Sequence, residues 1–222
     1  MSAILFGSIS TLADTSELQR RAFNEAFAAS GLDWEWSRDD YISMLGSNGG
    51  AQRIADYASK QGNDDVDAAA VHTTKSEIFR ELLGTENVSA RPGVADTIER
   101  ARQQGHKIGL VTTTSPDNVA ALLNALKGQI DVSAFDIVVD KTAVEDPKPS
   151  PSAYLYALSE LGVDATDAVA IEDNVGGVAA AVDAGIACVA FPNENTAAGD
   201  FSKAAETVKS VDVEHLAKLA AA

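Results

Sequence analysis

Apolar and polar positions change rhythm along this chain. Ala3-Ile4-Leu5-Phe6 is a short unbroken apolar run that suits a buried strand, and Gly7-Ser8-Ile9-Ser10-Thr11 after it reads as a loop. From there to about residue 86 the period is helical. Ser16 and Gln19 have the spacing of a capping box. Leu18, Ala22, Phe23, Ala26 and Phe27 recur on one face, and Gly31 closes that helix. Further helical patterns cover Ile54 to Gln61 and Ala68 to Leu83, with no convincing strand in the block.

After Arg91-Pro92-Gly93 strands and helices alternate. A helix ending near Gly105 leads into a strand at Lys107–Val111, and Pro116–Lys127 leads into Phe135–Val139. Ser152–Leu161 then leads into Ala168–Ile171, and Val175–Ala184 into Ile186–Phe191. Such alternation predicts an α/β fold, a parallel sheet with helices on both faces that the first strand joins. The expected division is a core domain of residues 1–14 and 87–222 and an inserted all-helical cap of residues 15–86.

Ligands of such sheets bind at the carboxyl ends of the strands. Those ends carry Gly7 to Thr11, Thr112 to Ser115, Asp140 with Lys148 beyond it, and Glu172-Asp173. Hydroxyls, a lysine and paired carboxylates would converge there, although Thr and Asp are also ordinary loop and cap residues.

Charge narrows the partners. The 222 residues hold 33 acidic and 17 basic side chains, a net charge of −16. Nucleic acid and anionic membrane surfaces share that sign and are disfavoured. An anionic ligand would need lysine, loop amides or a cation beside it. Cys188 lies in the apolar run Ile186–Phe191 and reads as core, and a single cysteine forms no internal disulfide. His72, His106 and His215 lack metal-ligand spacing. With no apolar stretch near the ~20 residues of a membrane span, and no signal-peptide pattern, a cytoplasmic location is expected.

The order of the segments resembles the haloacid dehalogenase (HAD) superfamily, within it the CbbY-type and β-phosphoglucomutase-like phosphatases. Residues 4–24 resemble the first motif, Asp-x-Asp-Gly-Thr-Leu-x-Asp-Thr, and the cap helix after it. Thr112, Lys148 in Asp146-Pro147-Lys148-Pro149, and Glu172-Asp173-Asn174 resemble the second, third and fourth. Gly31–Trp36, Tyr41 and Gly49–Ile54 are similar to a CbbY-type cap, where Trp34 and Trp36 are read as packing residues. The resemblance implies a HAD-like Rossmannoid core and phosphoryl transfer through an aspartyl phosphate, with Mg²⁺ neutralising the phosphate oxygens. It implies phosphate binding by Thr11, Thr112 and Lys148, and a metal at Glu172 and Asp173.

The match breaks where bonds are made. Gly7 stands at the nucleophile position and Ile9 at the acid/base position; neither side chain can do that work. Ser10 replaces the family's glycine, Gln19 stands where relatives commonly have histidine, and Ala51 where they commonly present a basic residue. Ser8 and Ser10 carry hydroxyls, but no histidine lies nearby in sequence to activate them. Asp14 reads as a brace for the loop and Asp140 as structural. No intact catalytic residue is therefore expected. The expectation is a catalytically impaired CbbY-like protein that keeps a phosphate-binding cleft for a phosphorylated small molecule, with weak Mg²⁺ binding. A protein partner is a further expectation for such a chain. The alternative is a working Mg²⁺-dependent sugar-phosphate phosphatase that uses an unusual nucleophile or an activated water.

Overall fold

The computed structural model describes residues 2–46 and 49–220. Its sheet is six-stranded in the order β3-β2-β1-β4-β5-β6, and every pairing is parallel. The strands are β1 (Ala3–Phe6), β2 (Lys107–Val111), β3 (Ile137–Val139), β4 (Ala168–Glu172), β5 (Ala187–Ala190) and β6 (Glu206–Thr207). In β1 all four residues are buried, because helices cover both faces. Ile4 and Phe6 point into one apolar layer with Leu110, Ile171 and Val189, whereas Ala3 and Leu5 point into the other. That second layer is rich in alanine: Ala153 and Ala157 of α8 (Ser152–Leu161) and Ala180 and Ala181 of α9 (Val175–Asp183) bring both helices close to the strands. The parallel α/β fold predicted from the alternation is the one observed.

Between β1 and β2 the chain is helical. After a single turn, α1 (Ile9–Leu12), come α2 (Ser16–Ala29), α3 (Arg38–Ser43), α4 (Gly50–Lys60) and α5 (Ala68–Thr85). Among the described residues, none from α2 to α5 pairs into the main sheet. This block has its own core, in which Trp36 is fully buried against Phe23, Phe27, Tyr41 and Tyr57, and Trp34 packs on Phe27 and Tyr57. The two chain crossings into and out of it are tied by an antiparallel bridge, Ala13 with Ala90, and by the Arg91 amide donating to Leu12 O at 2.9 Å. The core continues with α6 (Val94–Gln103), α7 (Pro116–Ala125) and a closing α10 (Val213–Leu219).

Four local readings change. Residues 9–12 are helical rather than loop, with Ser8 as N-cap accepting from the Thr11 amide. Ser16 and Gln19 do not form a capping box: Thr15 is the N-cap and makes no side-chain cap bond, while Asp14 Oδ1 takes the Ser16 amide at 3.1 Å. The capping box of this region is Ser37 with Asp40, which starts α3. The short β6 and α10 lie beyond the last strand read from the pattern.

Candidate functional site

Parallel registers bring the strand ends level. Phe6 pairs with Leu110 and Ile171, and Val111 with Val139, so Gly7, Thr112 and Glu172-Asp173 emerge side by side. Above them, facing α2, α4 and α5, lies a cleft of about 700 Å³. Gly7, Ser8, Thr112, Lys148 and Asp173 line its inner end, and Gln19, Arg53, His72 and Lys75 line the helical side.

At the inner end the polar groups pair with one another, apart from one oxygen of Glu172. The Lys148 ammonium donates to Glu172 Oε1 at 2.6 Å, to Val111 O at 2.7 Å and to Gly7 O. Tyr154 Oη donates to the same Glu172 oxygen at 2.8 Å. Glu172 is completely buried. Burial pushes its carboxyl above the usual range, while the adjacent ammonium pulls it back. Ser8 Oγ donates to Asp173 Oδ1 at 2.7 Å, and Asn193 Nδ2 lies 3.5 Å from Oδ2. Thr112 Oγ1 takes the Thr114 amide at 3.2 Å and remains on the cleft wall. Thr11 is set back from that wall: it is fully buried and its hydroxyl donates to Ser8 O at 2.7 Å. Ile9 turns into the apolar core beside Phe6.

The helical side holds cations. Lys75 is 4% exposed, donates to Gln19 and sits over Phe23 and Phe79, 4.6 and 5.0 Å from the ring centroids. No carboxylate lies within ion-pair distance of it among the described residues. Burial, with Arg53 adding repulsion, lowers its pKa to about 7. Arg53 donates to Met44 O at 3.0 Å and stands over the rings of Phe23 and Tyr41. His72 is held to about 4, by burial first and then by Lys75. Arg80 reaches across to Asn118 of α7 at 3.3 Å. Sequence reasoning singled out Ala51 as lacking a basic side chain and missed Arg53, two residues further along α4. It also missed Asn195, which donates to Ser16 and Glu17, both at 2.7 Å, and accepts from Arg38 at 2.7 Å. No periodicity announces that contact, because it joins residues nearly the whole chain apart.

A magnesium site needs several oxygen donors in near-octahedral array, commonly one or two carboxylates with substrate phosphate. Glu172 and Asp173, the pair expected to hold it, are split: Asp173 faces the cleft, while Glu172 is engaged by Lys148 and Tyr154. Gly7 offers only a carbonyl, and that accepts from Lys148. Among the described residues no group of three or more His, Cys, Asp or Glu side chains gathers to hold a metal. The donor set in this arrangement does not fit the ion.

The model of haloacid dehalogenase-like hydrolases matches residues 6–191. The chain belongs to that family. Protein CbbY of Cereibacter sphaeroides is 42% identical over 204 residues, which cover 91% of this chain and 89% of the relative. CbbY from Rhodobacter sphaeroides, solved in complex with phosphate, has a TM-score of 0.87 at 40% identity, covering 95% of this chain and 94% of that one. An aspartate-to-asparagine mutant of the same CbbY, solved with xylulose-(1,5)bisphosphate, gives the same figures. The motif resemblance thus holds at the level of the CbbY-like HAD phosphatases. No helix among the described residues is long and apolar enough to cross a membrane.

Proposed function

We propose that this CbbY-like HAD protein binds a phosphorylated small molecule, of the sugar bisphosphate class, in the cleft between residues 15–86 acting as a cap and a core of residues 1–14 and 87–222, and that its hydrolytic turnover is severely impaired. The observation that carries this is the first motif. Gly7 has no side chain, and Ile9 is buried in the core, so no carboxylate attacks phosphorus and none protonates the leaving oxygen. Thr112 and the loop after it would meet one phosphate, with Lys148 holding that loop region together. Lys75, Arg53 and Arg80 suit a second anionic group at the cap, as expected for a ligand with a phosphate at each end. Phosphate and xylulose-(1,5)bisphosphate in the CbbY structures support the ligand class.

The test is hydrolysis of sugar phosphates and bisphosphates by the purified chain. No release of phosphate above the buffer rate is expected, since losing catalytic groups that act as a unit can cost on the order of six decades in rate. One contact favours a second reading: Ser8 Oγ, on the cleft wall, is already hydrogen-bonded to Asp173. In that reading Ser8 Oγ forms the bond to phosphorus as the bond from phosphorus to the ester oxygen breaks. Asp173 takes the serine proton and passes it to the departing oxygen, and water then cleaves the phosphoserine to free the serine and phosphate. Robust turnover abolished by Ser8→Ala would establish it and sink the impaired reading.

A further inference from the structure

We infer that the cleft takes up its phosphorylated ligand without a divalent cation, because Glu172 has been withdrawn from the cleft and made the internal partner of Lys148. This rests on the phosphate-ligand reading above. Glu172 lies between two glycines. A Cβ at Gly7 would overlap the Glu172 carboxyl and the Tyr154 hydroxyl together, and a Cβ at Gly177 would overlap the same carboxyl from the other side. Gly7 is therefore more than a missing nucleophile: its bare backbone is the space into which Glu172 and Tyr154 fit. Neither Glu172 nor Gly177 is on the cleft wall, and Glu172 Oε2, which lies against Gly177, is buried without a hydrogen-bond partner among the described residues.

The balance of charge then removes the reason for a metal. A lysine ammonium has three protons, and Lys148 directs them at Gly7 O, Val111 O and Glu172. Position 7 contributes no charge, and the charge of Glu172 is cancelled by Lys148. Asp173 is the carboxylate left facing the cleft at that end, and it accepts from Ser8. A phosphate entering here meets far less like-sign repulsion than it would beside ionised carboxylates at positions 7, 172 and 173, so a bridging dication is not needed to offset it. Glu77 and Asp117 also line the cleft, and Lys75 and Arg80 from the helical side, with Lys141 beside the Thr114 loop, supply the positive field that offsets them.

Isothermal titration calorimetry of the full chain decides this, with inorganic phosphate in EDTA, inorganic phosphate in millimolar MgCl₂, and MgCl₂ alone. Phosphate affinity should agree within about twofold between the first two, and MgCl₂ alone should give no saturating heat. Phosphate binding that tightens about tenfold with Mg²⁺, or saturable Mg²⁺ binding lost in Asp173→Asn, overturns the inference. Absence of phosphate binding in both buffers overturns the ligand reading as well, and the MgCl₂ arm still reports separately on the metal. The double variant Gly7→Asp with Tyr154→Phe restores a carboxylate and removes the hydroxyl that a Cβ there would meet, so that the Glu172 carboxyl has to shift from its present place. If folded by circular dichroism, it should gain Mg²⁺ binding by about tenfold or more. A folded variant with no gain would show that Glu172 withdrawal is not the cause, and if the variant does not fold, the titrations of the native chain decide between the two outcomes on their own.

Discussion

The two ends of the cleft handle buried charge in opposite ways. At the inner end Lys148, Glu172 and Tyr154 form a closed set, in which a carboxylate and two carbonyls satisfy a single ammonium and a hydroxyl braces the carboxylate. At the cap end Lys75 is as deeply buried, yet it has an amide oxygen and two aromatic rings in place of a carboxylate. A paired charge in a low-dielectric setting is a structural element, whereas an incompletely compensated one is a standing demand for an anion. The same residue type therefore supports the fold at one end and ligand binding at the other.

Removing each lysine should separate those roles. Lys148→Met leaves the wholly buried Glu172 without its cation and should cost about 3–5 kcal/mol of stability by urea unfolding. Lys75→Met removes a cation that no carboxylate needs, so stability should stay level or rise by about 1 kcal/mol. Sulfate affinity, by contrast, should fall about tenfold in Lys75→Met. If Lys75→Met were the more destabilising of the two, the contrast between the ends would collapse.

Sequence pattern reaches the inner end and stops short of the cap end. Gly7, Thr112, Lys148 and Glu172-Asp173 follow apolar strands, and strands are legible because every residue of β1 and nearly every residue of β2 and β4 is buried. Their convergence follows from parallel order alone. Arg53 and Lys75 sit inside helices whose polar positions look alike in sequence; what singles them out is burial by Phe23, Tyr41 and Phe79. Short elements escape the pattern where tertiary pairing makes them, as with β6 against β5. Ser37 with Asp40 does carry a legible start signal for α3, whereas Ser16 with Gln19 carries one that the fold does not use, because Gln19 is recruited by Lys75.

Acidity offers a way to sharpen the contrast without mutation. Lys75 is lowered from the ordinary 10.5 to about 7, so the folded chain gives up that proton before the unfolded chain does. Its burial therefore opposes folding fully below pH 7, and the opposition fades as pH rises from 7 towards 10.5. The stability advantage of Lys75→Met should accordingly shrink across that window. Sulfate keeps its charge over the same range, and its binding should weaken as pH passes upward through about 7 in the native chain but stay flat in Lys75→Met. A native sulfate affinity independent of pH between about 6 and 9 would show that Lys75 is not the anchor.

The smallest expected effect bears on how the inner end is held closed. Tyr154 is fully buried on α8 among alanines, and its hydroxyl donates to a carboxylate oxygen that Lys148 also holds. Burial and the neighbouring Glu172 charge push the phenol well above its usual range, so it stays protonated and remains a donor at any working pH. Tyr154→Phe keeps the ring and removes one bond to a group that retains its stronger partner, so the loss should be near ~1 kcal/mol in urea unfolding. In a Lys148→Met background the Tyr154 hydroxyl is left to hold Glu172 without the ammonium, and the same substitution should cost more. That excess over the single-variant cost is the coupling between Lys148 and Tyr154. Strictly additive costs would mean that each holds Glu172 independently, and the inner end would then be two adjacent contacts rather than one closed unit.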